Sequence, residues 1–214
     1  MRLLRTRYPD VADLAQLLAK HRVLVDERLV TNPNTRIRRD ARIRLLPARR
    51  LRDDVKLATA LEALAVDVGG AVAVDVGAAA GGFTTALLHA GAERVYAVDT
   101  GYGQLRGTLR ADHRVVNLER TNVDSLSPML VPDVVDIVTL DLSYTSIAKA
   151  IMPLEQLRLA DDARLVALVK PTFELGSASL VVDGVRVRAA IAAAVASVER
   201  AGWRCPAITL PGAR

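Results

Sequence analysis

The chain has 214 residues, 51% of them apolar, with 29 Lys/Arg against 24 Asp/Glu. That is enough for one sizeable domain with a real core and a small second domain. No apolar run approaches the roughly 20 residues of a membrane span, and no long apolar stretch follows the basic MRLLRTRYPD, so neither a membrane protein nor a signal peptide is expected. A single cysteine, Cys205, leaves no internal disulfide and points to a reducing, cytoplasmic setting. His21, His89 and His113 are scattered without metal-ligand spacing, so no metal site is expected.

Charge is unevenly spread. Residues 1–50 hold 13 Lys/Arg and 5 Asp/Glu, while the rest of the chain is slightly acidic. Such a basic segment is either a solvated surface or an electrostatic footprint for a polyanion, nucleic acid first among them.

Within that segment DVADLAQLLAK places Val11, Leu14, Leu17 and Leu18 on one helical face. RVLVDERLVTNPNTRIRRDARIRLL then alternates like strands broken by turns, with Asn32-Pro33-Asn34 the clearest turn. Pro47-Ala-Arg-Arg reads as a linker to a domain over 51–214, where helix and strand alternate. Val55–Val66 reads as a helix with Leu57, Leu61 and Leu64 inward, and Ala71–Val76 as a buried strand. A helix over Gly82–Ala90, closed by Gly91, and a strand over Arg94–Val98 follow. Val115–Leu118, Ile137–Leu140 and Leu165–Val169 read as strands, Ile147–Leu159 and Arg188–Ala201 as helices, and Pro206–Leu210 as a last strand. This α/β alternation implies a mostly parallel sheet with right-handed crossovers.

The run VDVGAAAGGFTT marks a ligand site. Small residues between a strand and a helix let a ligand lie against the backbone at a helix N-terminus. The loop, Gly77 to Gly82, is not G-x-G-x-x-G, and no Walker lysine follows, so a dinucleotide or nucleoside triphosphate is disfavoured. Asp99 ends the next strand, where an acid can bind both hydroxyls of a ribose. S-adenosylmethionine has a ribose but no phosphate, and its ammonium wants an acid or carbonyl neighbour, which Asp75 and the loop could supply. The pattern favours that donor over a dinucleotide and over a tight turn without a ligand. Gly77, Ala79, Gly81 and Gly82 would shape the loop, with Phe83 beside it.

DDVKLATALEAL, VAVDVGAAAGGFTTALLHAGAERVYAVDTGYGQL, NLERTNV, DIVTLDLSYTS and LVALVKPTFELG together resemble the TlyA-type, hemolysin A-like group of FtsJ-like RNA 2′-O-methyltransferases, over roughly Asp53 to Gly176. The resemblance implies a Rossmann-like class I methyltransferase fold, S-adenosylmethionine as donor and RNA, ribosomal RNA above all, as partner. Upstream, residues 1–50 look like an S4 RNA-binding region, with Asp26-Glu27-Arg28 where the family usually has Asn-Gly. The family's Lys-Asp-Lys-Glu set places its first lysine at Lys56, its aspartate at Asp141 and its second lysine at Lys170. The glutamate and the last strand that carries it have no counterpart after ITLPGAR. Asn122 matches the region that lines the adenine, and Arg52-Asp53-Asp54 stands where Arg-Gly-Gly is usual.

Methyl transfer to a hydroxyl needs donor, carbon and acceptor in line, and a group that takes the hydroxyl proton. On the resemblance Lys170 is that group, Asp141 orients it and is also a candidate for holding the donor's charged end, and Lys56 adds a second positive charge and is a candidate for a phosphate contact. Three readings follow: an RNA 2′-O-methyltransferase, an enzyme using the same donor on a small molecule, and a binding protein with weakened catalysis.

Overall fold

The computed structural model describes residues 7–8, 17–18, 23–26, 28–30, 32–38, 40–45, 52–176 and 183–209. They fall into two compact units, Met1–Arg50 and Leu51–Arg214.

In the first unit β1 (Val23–Val25) pairs antiparallel with β2 (Arg28–Leu29) and with β3 (Ile43–Leu45). Leu18, Val23, Val25, Ala41 and Ile43 form its core. Asp26 turns the chain between β1 and β2 at a φ of 48°, a left-handed conformation that aspartate tolerates better than most side chains. Its carboxylate accepts a hydrogen bond from the Arg42 backbone N–H at 2.9 Å and so ties the turn to the approach of β3. The turn at 32–34 is present, closed by Asn34 N–H donating to Asn32 Oδ1 at 2.9 Å. The expected helix over 10–20 lies outside the described residues except at Leu17 and Leu18, and the linker at 47–50 lies outside them entirely.

The second unit is a five-stranded parallel sheet in the order β6-β5-β4-β7-β8. Its elements in chain order are α1 (Arg52–Ala63), β4 (Val72–Val76), α2 (Gly82–His89), β5 (Arg94–Asp99), α3 (Gly107–Arg110), β6 (Val115–Glu119), β7 (Val135–Leu140), α4 (Ile147–Ile151), β8 (Leu159–Ala167), α5 (Pro171–Glu174) and α6 (Gly184–Arg200). The chain runs outward through β4, β5 and β6, then returns to lay β7 against the other side of β4. The C-terminal ends of β4 and β7 therefore form the switch point where open α/β sheets hold ligands.

Strand residues alternate between two apolar layers. Ala73, Val95, Ala97 and Ile137 pack with Leu57, Leu61, Phe83 and Leu87 of α1 and α2. Val74, Val76, Tyr96, Val98, Val138 and Leu140 pack with Ile147, Ile151, Leu154 and Ala194 on the opposite layer. Both faces are covered, as a parallel sheet requires.

Several expected boundaries move. The helix expected over Ile147–Leu159 stops at Ile151 and tightens into a 3-10 turn over Met152–Gln156, because Pro153 cannot continue an α-helix. β8 starts at Leu159 rather than Leu165, with an irregular register between Val135 and Ile137 where Asp161-Asp162 leave the sheet pattern. α6 starts four residues earlier than the apolar periodicity suggests, since Asp183 caps it by accepting from Arg186 N–H at 2.8 Å. Residues 206–209 of the expected last strand are irregular, and Leu210 lies outside the described residues.

Candidate active site

The glycine loop joins β4 to α2. At its start Gly77 has a φ of 88°, and a Cβ there would stand 2.5 Å from the carbonyl oxygen of Asp141. Only glycine lets the end of β4 lie this close to the end of β7. Gly77 and Ala78 N–H groups donate to Val98 O at 2.9 and 3.0 Å, so the loop also leans on β5. Gly81, again at a φ of 88°, would drive a Cβ to within 2.1 Å of Leu109 Cδ1, and it opens α2 without a side-chain cap.

Asp99 closes the loop from the next strand. Its Oδ2 accepts from Ala79 N–H at 2.8 Å and its Oδ1 from Gly101 N–H at 2.7 Å. The carboxylate is held by two backbone donors, remains partly exposed, and each oxygen keeps a lone pair for a further donor. A diol at this place would complete the set, which fits the sugar of S-adenosylmethionine. Beyond Asp99 the GYGQL turn is fastened by Glu119, whose Oε1 accepts from Gln104 N–H at 3.1 Å and Leu105 N–H at 3.4 Å. The backbone N–H of Gly103 first, and after it that of Leu105, hold the Glu119 carboxyl below the usual range, against its partial desolvation. The Arg120 guanidinium lies 4.1 Å above the Tyr102 ring. Asn122 accepts from Asp124 N–H at 3.4 Å and so caps the short 3-10 turn over Val123–Ser125 beside this edge.

Four of the expected cofactor residues are supports rather than surface. Asp75 is fully buried, and its two oxygens accept from Thr84 Oγ1 at 2.6 Å and Thr139 Oγ1 at 2.9 Å. The cause is the strand period: Asp75 faces α2 with Ala73, two residues below the loop, so it has no surface for an ammonium. Burial pushes its carboxyl up to about 6, against the pull of the two hydroxyls. Phe83 belongs to the core beneath the loop, and Gly81 and Gly82 are buried at the start of α2. Gly77, Ala79, Asp99 and Asn122 keep exposed surface.

The other half of the site stands on β7 and β8. Asp141, just past β7, has Oδ1 2.5 Å from Lys170 Nζ, just past β8. That buried oxygen has no hydrogen bond of good geometry. The contact is an ion pair, and opposite charges at this separation attract whatever the angle. Lys170 Nζ also donates to Ser143 Oγ at 2.8 Å. Glu174, one helical turn beyond Lys170, accepts from Ile147 N–H at 2.8 Å and caps α4. Partial burial raises the Glu174 carboxyl above its usual range. Two ties thus join the loop after β7 to the loop after β8. Tyr144, half-exposed between the two halves, is raised first by partial burial and then by the charges of Asp99 and Asp124. Lys56 stands on the exposed side of α1.

Ser143, Glu174, Glu119 and Tyr144 escape a reading of sequence alone. Glu174 lies inside LVKPTFELG and Ser143 and Tyr144 inside DLSYTS, so the motifs contain them, but nothing in a motif says which loop a side chain reaches across.

The match to known proteins is continuous over this unit. Residues 50–205 match the model of the FtsJ-like methyltransferases. The chain belongs to that family. It is 44% identical over 165 residues to the 16S/23S rRNA (cytidine-2′-O)-methyltransferase TlyA of Mycobacterium tuberculosis, covering 73% of this chain and 61% of that protein. It is also 38% identical over 120 residues to hemolysin A of Brachyspira hyodysenteriae, covering 56% and 50%. A solved structure of a Lactococcus lactis protein described as a hemolysin superposes with a TM-score of 0.65 at 28% identity, over 71% of this chain and 75% of that one. The chain therefore spans less than two thirds of the curated relatives it matches. FtsJ-like methyltransferases use S-adenosylmethionine, in agreement with the diol-ready acid and the phosphate-free loop. Among the described residues no helix is long and apolar enough to cross a membrane, and no cluster of His, Cys, Asp and Glu could hold a metal.

Proposed function

We propose that this protein transfers a methyl group from S-adenosylmethionine to a ribose 2′-hydroxyl of RNA, ribosomal RNA being the substrate named for its tuberculosis relative. The observation that carries the reading is the Lys170–Asp141 ion pair at the switch point, one strand away from the glycine loop. The donor supplies a methyl on a sulfonium. The chain's own residues do the rest. Gly77, Ala79 and Asp99 hold the adenosine against the ends of β4 and β5. Lys170, as the neutral amine left once its ammonium has released a proton to solvent, meets the acceptor hydroxyl and takes its proton, while Asp141 and Ser143 fix the direction of Nζ. Lys56 brings a second positive charge from α1. The proton leaves the hydroxyl as its oxygen bonds the methyl carbon and the carbon–sulfur bond breaks.

The basic first unit supports a polyanionic substrate. Arg36, Arg38, Arg42 and Arg44 are exposed along the turn and strand that lead to and form β3. We assign residues 1–50 an S4-like RNA-grasping role. Removing them should abolish RNA affinity and leave donor affinity intact, and the affinity of the full chain for RNA should fall steeply with salt as counterions are released.

The deciding experiment is transfer of tritium from labelled S-adenosylmethionine, offered total RNA in one arm and a metabolite extract in the other. Label in alkali-resistant RNA dinucleotides is the expected result. Label only in a small molecule would overturn the RNA reading and keep the donor. No transfer together with no donor binding by calorimetry would overturn both.

A further inference from the structure

With Asp75 buried between β4 and α2, the donor's ammonium keeps the loop carbonyls but has lost the acid expected to face it. The acids at the ligand edge can be taken in turn. Asp99 holds two backbone N–H groups, and its remaining lone pairs are reserved for the ribose diol. Asp141 is held by Lys170. Glu119 fastens the GYGQL turn, and Glu174 caps α4. Asp124 is exposed on the 3-10 turn after Asn122, its charge in water. Among the described residues one buried carboxylate is left. Asp54, in the first turn of α1, is 7% exposed, and its Oδ1 is buried without a hydrogen-bond partner.

Its place follows from the packing. Asp54, Leu57 and Leu61 lie on one face of α1 at helical spacing, and both leucines share a core layer with Ala78 and Phe83 of the glycine loop. After α1 the chain passes Gly70, whose N–H donates to Gly91 O at the end of α2 at 2.9 Å. The two helices therefore finish at the same edge of the sheet and begin at the opposite one, the edge with the loop. Asp54 is one turn closer to that edge than Leu57. A buried carboxylate oxygen with no donor is costly, and such groups persist where a ligand completes them.

We propose that Asp54 is the carboxylate that receives the ammonium of the methyl donor's amino-acid end. The proposal rests on the donor reading given above. Asp54 stands where the family resemblance places glycine, so this contact belongs to this chain rather than to the shared motif. The chemistry is a charge-assisted N–H···O bond from a primary ammonium to a carboxylate already stripped of water.

The test pairs a protein change with a ligand change. Calorimetry would measure S-adenosylhomocysteine and its des-amino analogue, in which hydrogen replaces the ammonium, on the full chain and on Asp54→Asn. The full chain should prefer the amino form by about 10- to 100-fold, the scale of a hydrogen bond between charged groups. Asp54→Asn should discriminate less than about threefold, mainly through weaker binding of the amino form. Asp54→Gly gives the same comparison with the smaller side chain. Undiminished discrimination in the variants would overturn the proposal, and so would an equal loss for both ligands, which would mark Asp54 as a support of the loop. In the ligand-free state the melting temperature of Asp54→Asn should not fall, because the variant removes an unmatched buried charge. Failure of the full chain to bind either ligand would instead overturn the donor reading itself.

Discussion

The two halves of the ligand edge are built by different means. At the ends of β4 and β5 the work is done by backbone: Gly77 and Ala78 N–H groups on Val98 O, and Ala79 and Gly101 N–H groups on Asp99. At the ends of β7 and β8 it is done by side chains reaching between loops: Lys170 to Asp141 and Ser143, and Glu174 to Ile147 N–H. A backbone cradle suits a donor of constant shape. Ties between side chains suit an acceptor that must be met, deprotonated and released. The first half should therefore fail through strain and the second through chemistry.

The largest expected effect is at the cradle. Gly77→Ala meets both a left-handed φ and the Asp141 carbonyl, so it should cost about 4 kcal/mol in urea unfolding and abolish donor binding. An alanine variant with wild-type stability would show that β4 and β7 are not held as closely as described.

Next is the buried acid below the cradle. Asp75 is raised from 3.8 to about 6, so the folded state keeps a proton that the unfolded chain releases. Its contribution is fully present below about pH 4 and is lost as pH rises through about 6, by up to about 3 kcal/mol. The stability difference between wild type and Asp75→Asn should fall across that window in urea titrations and stay flat above it. A difference that rises with pH would mean that the two threonines outweigh burial.

Lys170→Ala should then separate the halves. Donor affinity should stay within a few-fold of wild type, while single-turnover methylation falls by about 10²-fold, the usual scale of acid–base help. An equal fall in donor affinity would merge the halves into one device.

The smallest effect is at the tie behind Lys170. Glu174→Ala should cost about 1 kcal/mol, the worth of a helix cap, and Glu174→Gln less because an amide oxygen can still accept from Ile147 N–H. Equal losses in the two variants would point to charge rather than capping.

The same division explains what could be read from the sequence. The parallel sheet, the crossovers and the glycine loop were legible because strand periodicity, glycine and a strand-end acid act locally. Asp99 was placed correctly at the end of β5 for that reason. Asp75 was not, since its neighbours Thr84 and Thr139 come from α2 and β7, and only the finished sheet turns it towards them. Ser143 and Glu174 lie inside motifs the sequence displays, yet their partners are set by the order β4-β7-β8, which a linear pattern does not state. The early stop of α4 was available in Pro153, a residue that outranks the apolar period around it.

The carbonyl of Asp141 lies against the Cα of Gly77 with no room for one more carbon atom. The two halves of the edge thus share a fixed gauge, set by the main chain of Gly77 and Asp141 and not by their side chains. Engineers who wish to recruit a bulkier acceptor can vary residues 144–146 or 172–173 and keep Ser143 and Glu174, but widening the gap itself would mean re-registering β4 against β7. New specificities on this scaffold should come from repainting its walls, never from moving them apart.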